Sequence, residues 1–252
     1  MSTYLNMKSI QVYNGPPGRG PNPWKVIIIL IELGLPWENL WIPYKEIKQV
    51  PYTDLNPNGR LPVMIDPNTG VTLFESGAII QYLISLYDTK YVISYSDDKV
   101  EEKWLLNSWL MFQMSGQGPM LGQKMWFTHF HQKKNVTTAI DRYANETKRI
   151  VGVIDSHLSK QRQARKIPDA DPVWLVGDKC TYADLAFVPW DMLLVSSLFP
   201  DGGFDPEEFP EFYKWHKNAI DRPAVRETLR QQEHANTTME DTTAAVLPER
   251  ED

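Results

Sequence analysis

Residues 56–79 read NPNGRLPVMIDPNTGVTLFESGAI. Val63 to Asp66 (VMID) has the length and apolar content of a strand, residues 66–70 (DPNTG) supply turn chemistry, and Val71 to Phe74 is the return strand of a hairpin. From Ser76 to Tyr87 the period becomes helical, with Ala78, Ile79, Tyr82, Leu83 and Leu86 on one face. Two dipeptides at the edges of this unit carry chemistry. Leu61-Pro62 stands at the entrance of a strand, where proline is tolerated. A cis bond there would turn the Leu61 N–H and C=O toward a ligand, although only about 5–6% of X-Pro bonds in folded proteins are cis. Glu75-Ser76 opens the helix. Ser76 reads as an N-cap, and the same helix end offers unpaired N–H groups and a positive dipole end to a carboxylate. Glu75 beside it suits an ammonium. An α-amino-acid head carries both groups.

Upstream, residues 9–13 (SIQVY) form a strand, and residues 14–21 a loop rich in Gly and Pro. Residues 22–34 (NPWKVIIILIELG) read as a buried helix, with Asn22 as N-cap, Pro23 at the first helical position and Gly34 as the stop. As a catalytic group, Asn22 would lie at the positive end of that helix, which favours a thiolate. Residues 38–44 are a second strand and residues 51–56 a short helix or turn. The order β-α-β-α-β-β-α makes a small α/β layer. Lys48, on the loop before the short helix, could neutralise a carboxylate.

Residues 88–98 are a polar linker, and the chain beyond it has helical patterning at 100–114, 136–165, 181–198, 209–221 and 223–231. Thr181-Tyr-Ala-Asp184 is a capping box flanked by Cys180 and Leu185 at the staple positions, and its role is to start a buried helix. Pro189 should kink that helix. The expected organisation is an α/β domain over residues 1–88, an all-α domain over 99–232 and an acidic flexible tail over 233–252.

The chain has 252 residues, 42% hydrophobic and 12% aromatic, enough for a sizeable core. Its net charge is −6, and the residues from Glu233 onward account for −5 of it, so the body is near neutral. A basic nucleic-acid binder is excluded by this balance. The single cysteine, Cys180, allows no internal disulfide, which points to a reducing compartment and excludes thiolate metal clusters. Residues 1–10 lack the apolar core of a secretory leader, so the Asn-X-Thr sequons at Asn135, Asn145 and Asn236 read as chance. The longest aliphatic run, residues 26–31, is too short to span a membrane.

NPNGRLP, FESGAI and LVGDKCTYADLAF together resemble the glutathione S-transferase family over about residues 10–229. PNPWKV, WLMFQMSGQGPMLGQ, VWLVGDK and TYADLAFVPW resemble a fungal branch of it that includes a yeast nitrogen-catabolite regulator with a transferase fold. The resemblance implies a thioredoxin-like N-terminal domain with Pro62 cis, followed by an all-helical domain. It implies glutathione as co-substrate and no metal. The Leu61 backbone and Pro62 would hold the cysteinyl part, Glu75 and Ser76 the γ-glutamyl head, and Lys48 the glycyl carboxylate. Asn22 would be the catalytic residue near the sulfur. Arg60 is a candidate for a structural salt bridge, and Tyr13 a weak catalytic candidate on the wrong face of its strand. No cysteine lies between Tyr13 and Lys25, which argues against cysteine-based chemistry. The loop at residues 14–20 is long, so Ser2, Tyr4 and Arg19 could approach the site.

The electrophile is expected between the domains, near Trp24, Met111, Phe112, Met114, Gln117, Trp126 and Phe127. The implied activity is conjugation of the glutathione thiolate to an electrophilic small molecule, in detoxification or in fungal secondary metabolism. One rival is glutathione-dependent reduction of a peroxide or disulfide on the same site. The other is a non-catalytic regulator that keeps the fold. A cytoplasmic homodimer, with no nucleic-acid or membrane partner, completes the expectation.

Overall fold

A computed structural model of the protein describes residues 6–133, 136–200 and 202–242. Ser2, Tyr4, the sequon at Asn135 and the tail beyond Thr242 lie outside the described residues. Two units can be recognised, one of residues 6–93 with 222–242 and one within residues 94–221.

The first unit contains β1 (Ile10–Asn14), α1 (Pro21–Glu32), β2 (Trp37–Trp41), α2 (Tyr52–Leu55), β3 (Val63–Asp66), β4 (Val71–Phe74) and α3 (Ser76–Tyr87). The sheet order is β2-β1-β3-β4, with β1 and β2 parallel and the other pairs antiparallel. This is the expected thioredoxin-like layer. Alternate residues of β1 (Ile10, Val12, Asn14) are buried, as the pleat requires. The whole run from Val26 to Leu30 in α1 is shielded from solvent, which explains why its sequence is apolar all round. Asp66, buried at the end of β3, accepts hydrogen bonds from the Tyr82 and Tyr87 hydroxyls and from the Asn68 N–H. Those bonds tie the β3–β4 turn to α3 and so fix where Ser76 sits.

The second unit contains α4 (Val100–Phe112), α5 (Gly118–Met125), α6 (Thr137–Arg165), α7 (Tyr182–Leu185), α8 (Val188–Asp191) and α9 (Pro210–Ile220). Wide π turns at Gln113–Gln117 and Trp126–Phe130 join on at either end of α5. The single helix expected over 181–198 is broken into α7, α8 and a π turn at Leu194–Leu198. Pro189 has no N–H to give and its ring crowds the carbonyl four residues earlier, so the helix restarts rather than kinks. The capping box is formed at Thr181 and Asp184. Asp184 also accepts from the Leu175 N–H at 2.9 Å and the Trp215 Nε1–H at 2.8 Å, drawing the 173–176 segment and α9 onto the start of α7. Cys180 is buried beside it. The first N–H groups of α9 are capped from another helix, by Asp155 of α6 at 2.8 and 3.0 Å.

The last helix, α10 (Pro223–Thr238), returns to the first unit. It packs on α1 with Ala224, Val225, Thr228 and Ala235 buried. Arg222 grips Glu32 with two bonds of 2.6 and 2.8 Å. Beyond the helix, Thr242 donates to the Pro16 carbonyl and accepts from the Tyr44 N–H, while Asp241 pairs with Arg19. This differs from an organisation in which the helical domain runs to residue 232 and the tail floats from 233. An apolar helix such as α1 needs cover that one sheet and α3 do not supply, and α10 supplies it.

Candidate functional site

Each glutathione-site residue suggested by the sequence belongs to the first unit. The NPNGR loop is built around Asn56, which donates from Nδ2 to the Arg60 carbonyl at 2.7 Å and accepts from the Asn58 N–H at 3.0 Å. The Tyr52 hydroxyl donates to the same Arg60 carbonyl. Gly59 holds φ at +58°, and a Cβ there would stand 2.7 Å from the Ile47 carbonyl oxygen, so this turn needs glycine. Lys48 folds over the loop and donates to the Asn58 carbonyl at 3.1 Å. Lys48 therefore stands next to the strand entrance at Leu61, and the Leu61–Pro62 bond is cis, as the resemblance implied. Arg60 contributes its carbonyl to the loop and makes no ion pair among the described residues, which corrects the expected salt bridge.

Glu75 is exposed and has φ 68° and ψ 111°, a left-handed value for a residue with a side chain. Such a backbone costs about 1–3 kcal/mol and persists where the surroundings impose it, often at binding sites. Ser76 follows at the first position of α3 and is buried, so Glu75, not Ser76, is the N-cap residue of that helix. The Ser76 Oγ accepts from the Lys25 ammonium at 3.2 Å.

Asn22 also differs from its expected place. The helix begins at Pro21, with Gly20 as N-cap, so Asn22 is the second helical residue. Proline fits the first position because its missing N–H is one that no intrahelical carbonyl would have accepted. Gly20 has no side chain with which to cap, and the positive end of α1 is left to other partners. The preceding loop is pinned at Gly18, whose carbonyl accepts from the Trp24 indole at 2.6 Å and from Gln232 at 3.1 Å. Tyr13 packs edge-on against Tyr52 with centroids 5.3 Å apart, a core role.

Sequence reasoning overlooked Lys25, although a cation inside NPWKVIIIL was the available signal. It overlooked Asn14 as well, which is fully buried and has its Nδ2 unpartnered.

The suggested electrophile residues separate into two groups. Met111 and Trp126 are exposed. Phe112 and Met114 are half-buried, and Phe127 is half-buried and stacked on Tyr143. Trp24 and Gln117 are only 1% exposed and use their polar groups internally.

Gln117 belongs instead to a buried chain. Gln113 donates to Gln117, and Gln117 donates to Asp191 Oδ1 at 2.6 Å. Asp191 Oδ2 and His216 Nδ1 face each other at 3.8 Å, both without a partner. Burial pushes the Asp191 carboxyl well up and the His216 imidazole down to about 4. The His216 imidazole is therefore neutral in the fold at neutral pH. In the unfolded chain Asp191 ionises near pH 4, so between that value and its raised folded one the folded form binds more proton at this residue. Stability from Asp191 is thus complete below about pH 4 and is lost as pH rises. Asp191→Asn should remove that loss, and its amide can donate to His216. Its advantage over the wild type is expected to grow as pH rises above about 5, by at most about 1.4 kcal/mol per pH unit, as read from denaturant midpoints; parallel curves for the two proteins would sink this account.

Residues 19–91 match the glutathione S-transferase N-terminal domain and residues 118–223 the glutathione S-transferase C-terminal domain. The chain belongs to the glutathione S-transferase family. Within it, the chain is 44% identical to the glutathione S-transferase-like protein tpcF of Aspergillus fumigatus, over 83% of this chain and 91% of that one. Its fold is similar to that of Ure2p in complex with glutathione, with a TM-score of 0.79, 36% identity and coverage of 89% of this chain and 100% of that one. It is equally similar to the transferase URE2P6 of Phanerochaete chrysosporium in complex with oxidized glutathione, with a TM-score of 0.80, 40% identity and coverage of 90% and 98%. No described helix is long and apolar enough to cross a membrane, and no described group of His, Cys, Asp and Glu could hold a metal ion.

Proposed function

We propose that this protein is a glutathione transferase that joins the glutathione thiolate to an electrophilic small molecule, in detoxification or in fungal secondary metabolism. The observation that carries this reading is the left-handed Glu75 set immediately before the buried start of α3. An ammonium meets Glu75 and a carboxylate meets the first turn of α3 and the Ser76 hydroxyl, the two groups of a γ-glutamyl head. Leu61 and Pro62 take the cysteinyl part through the backbone, and Lys48 the glycyl carboxylate. Asn22 then lies at the positive end of α1, near the sulfur.

A free thiol has a pKa of about 8.5. One unit of lowering, worth about 1.4 kcal/mol, makes the thiolate abundant at neutral pH. A hydrogen bond from Asn22 and the dipole of α1 are sufficient for that. An amide is no base, so Asn22 acts by holding charge. Bond formation to the electrophilic carbon expels the leaving group, and Met111, Phe112, Met114, Trp126 and Phe127 are the apolar contacts assigned to the electrophile. A homodimer fits a chain that exposes Val100, Trp104 and Leu105 on α4 and Phe74 on β4.

A second reading has support from the similar structure solved with oxidized glutathione. There, two glutathione thiols would reduce a hydroperoxide to alcohol and water, leaving the disulfide. Calorimetry with glutathione, with chlorodinitrobenzene and cumene hydroperoxide turnover in parallel, separates these readings. Ser76→Ala should bind glutathione at least about tenfold more weakly. Asn22→Ala should keep the affinity and lose about tenfold in turnover. The better substrate chooses between conjugation and reduction. A wild-type protein that binds no glutathione ends both enzyme readings and favours a regulator built on the fold.

A further inference from the structure

The loop between β1 and α1, residues 15–20 (GPPGRG), leads directly into the helix start that carries Asn22. An α-helix leaves the first four N–H positions without intrahelical partners, and in α1 two of these are Pro21 and Pro23. Gly20 and Asn22 hold the other two. Where the loop sits therefore decides what the start of α1 can present. Gly15, Gly18 and Gly20 have no side chains with which to hold the loop, so its position depends on its neighbours. On one side the neighbour is Tyr44. Its ring packs on Gly15, where a Cβ would stand 2.6 Å away, and its hydroxyl lies against Gly20. Burial and the Asp241 charge push the Tyr44 phenol up, and a hydrogen bond from the Gly20 backbone opposes them.

On the other side the loop is held by the far end of the chain. Gln232 of α10 donates to the Gly18 carbonyl at 3.1 Å, and the Thr242 hydroxyl donates to the Pro16 carbonyl at 3.1 Å. The same Thr242 oxygen accepts from the Tyr44 N–H at 3.4 Å. A hydroxyl can give and accept at once, and here it joins the loop to the residue that packs over it. The Arg19–Asp241 pair spans the same gap, but its arginine is 61% exposed, and an exposed ion pair adds little. The Thr242 bonds are half-buried.

We propose that Thr242 is a positioning residue: its hydroxyl fastens the chain beyond α10 to the β1–α1 loop, and so sets where the start of α1 presents Asn22 to the glutathione sulfur. This inference rests on the glutathione reading of the site. In that reading Lys48, Leu61, Glu75 and Ser76 hold the body of glutathione from other elements. The fastening therefore acts on the thiolate and on turnover, and not on affinity.

The test uses Thr242→Val in the full-length protein, which removes the hydroxyl and keeps the branched shape. Three quantities are read together: glutathione affinity by calorimetry, kcat with the substrate that the wild type prefers, and the ultraviolet absorbance of the bound thiolate at neutral pH. In the valine variant kcat should fall about 3- to 10-fold, the worth of one hydrogen bond. The thiolate absorbance should fall with it, while the affinity and the thermal midpoint stay at wild-type values. Thr242→Ser, which keeps the hydroxyl, should restore both kcat and the absorbance. Unchanged kcat and absorbance in the valine variant overturn the proposal, as does a serine variant as impaired as the valine one. A loss of affinity equal to the loss of kcat also overturns it, because it means general support of the fold. Failure of the wild type to bind glutathione removes the reading beneath the proposal as well, and it is seen before any variant is made.

Discussion

Asp184→Ala is expected to destabilise the helical unit by about 3 kcal/mol or more, a drop of roughly 6–12 °C in thermal midpoint. The carboxylate is fully buried and receives four donors, the N–H groups of Leu175 and Thr181, the Thr181 hydroxyl and the Trp215 indole. Burial alone pushes its carboxyl up, and the four donors oppose that. Removing it strands them all in a dry interior, where each lost partner costs about 1–3 kcal/mol. Asn is no rescue. Its Oδ1 can keep Leu175 and Trp215, but its amide nitrogen then confronts the two Thr181 donors, so Asp184→Asn should also lose stability. Thermal denaturation followed by tryptophan fluorescence reads the effect through Trp215. A variant within about 1 kcal/mol of the wild type would show that water replaces the carboxylate, and the account of α7 and α9 held by one side chain would fall.

Glu75→Gly is expected to move stability and ligand affinity in opposite directions. Glycine adopts φ near +68° without steric cost, so the variant should gain about 1 kcal/mol, or roughly 2–4 °C. It loses the carboxylate assigned to the ligand ammonium, and glutathione affinity should fall at least about tenfold. Glu75→Ala is the control, since it loses the same carboxylate while keeping the left-handed backbone. It should bind as poorly as the glycine variant with no gain in stability. Two variants that bind glutathione like the wild type would remove Glu75 from the site. A glycine variant no more stable than the alanine one would mean that the backbone is not under strain. This opposition is what a functional position held against local preference predicts.

Several pieces of the fold were readable in a few consecutive residues. The turn at residues 66–70, the strands on either side and the helix from Ser76 to Tyr87 have the boundaries that their turn residues and periodicity suggest. The capping box did too. Misplacements were also local where two signals competed. Pro21 and Pro23 both suit a helix start, and only the backbone shows that Pro21 takes the first position, which moves Asn22 from cap to second residue. Pro189 was legible as a disturbance but not as a break, because whether a helix bends or restarts depends on what its freed carbonyls meet.

Sequence by itself determined the layer order, the loop that positions Leu61, and the family motifs that select Asn22, Lys48, Glu75 and Ser76. These depend on caps, turns and alternation, which act over a few residues. Tertiary structure alone decided that Ser76 answers to Lys25, that Gln117 and Trp24 are closed off from solvent, and that α10 covers α1 rather than completing the helical unit. Those outcomes join residues tens to hundreds of positions apart. What governs them is which buried surfaces can cover each other and which buried polar groups can find partners, and that is settled only when the chain has closed on itself.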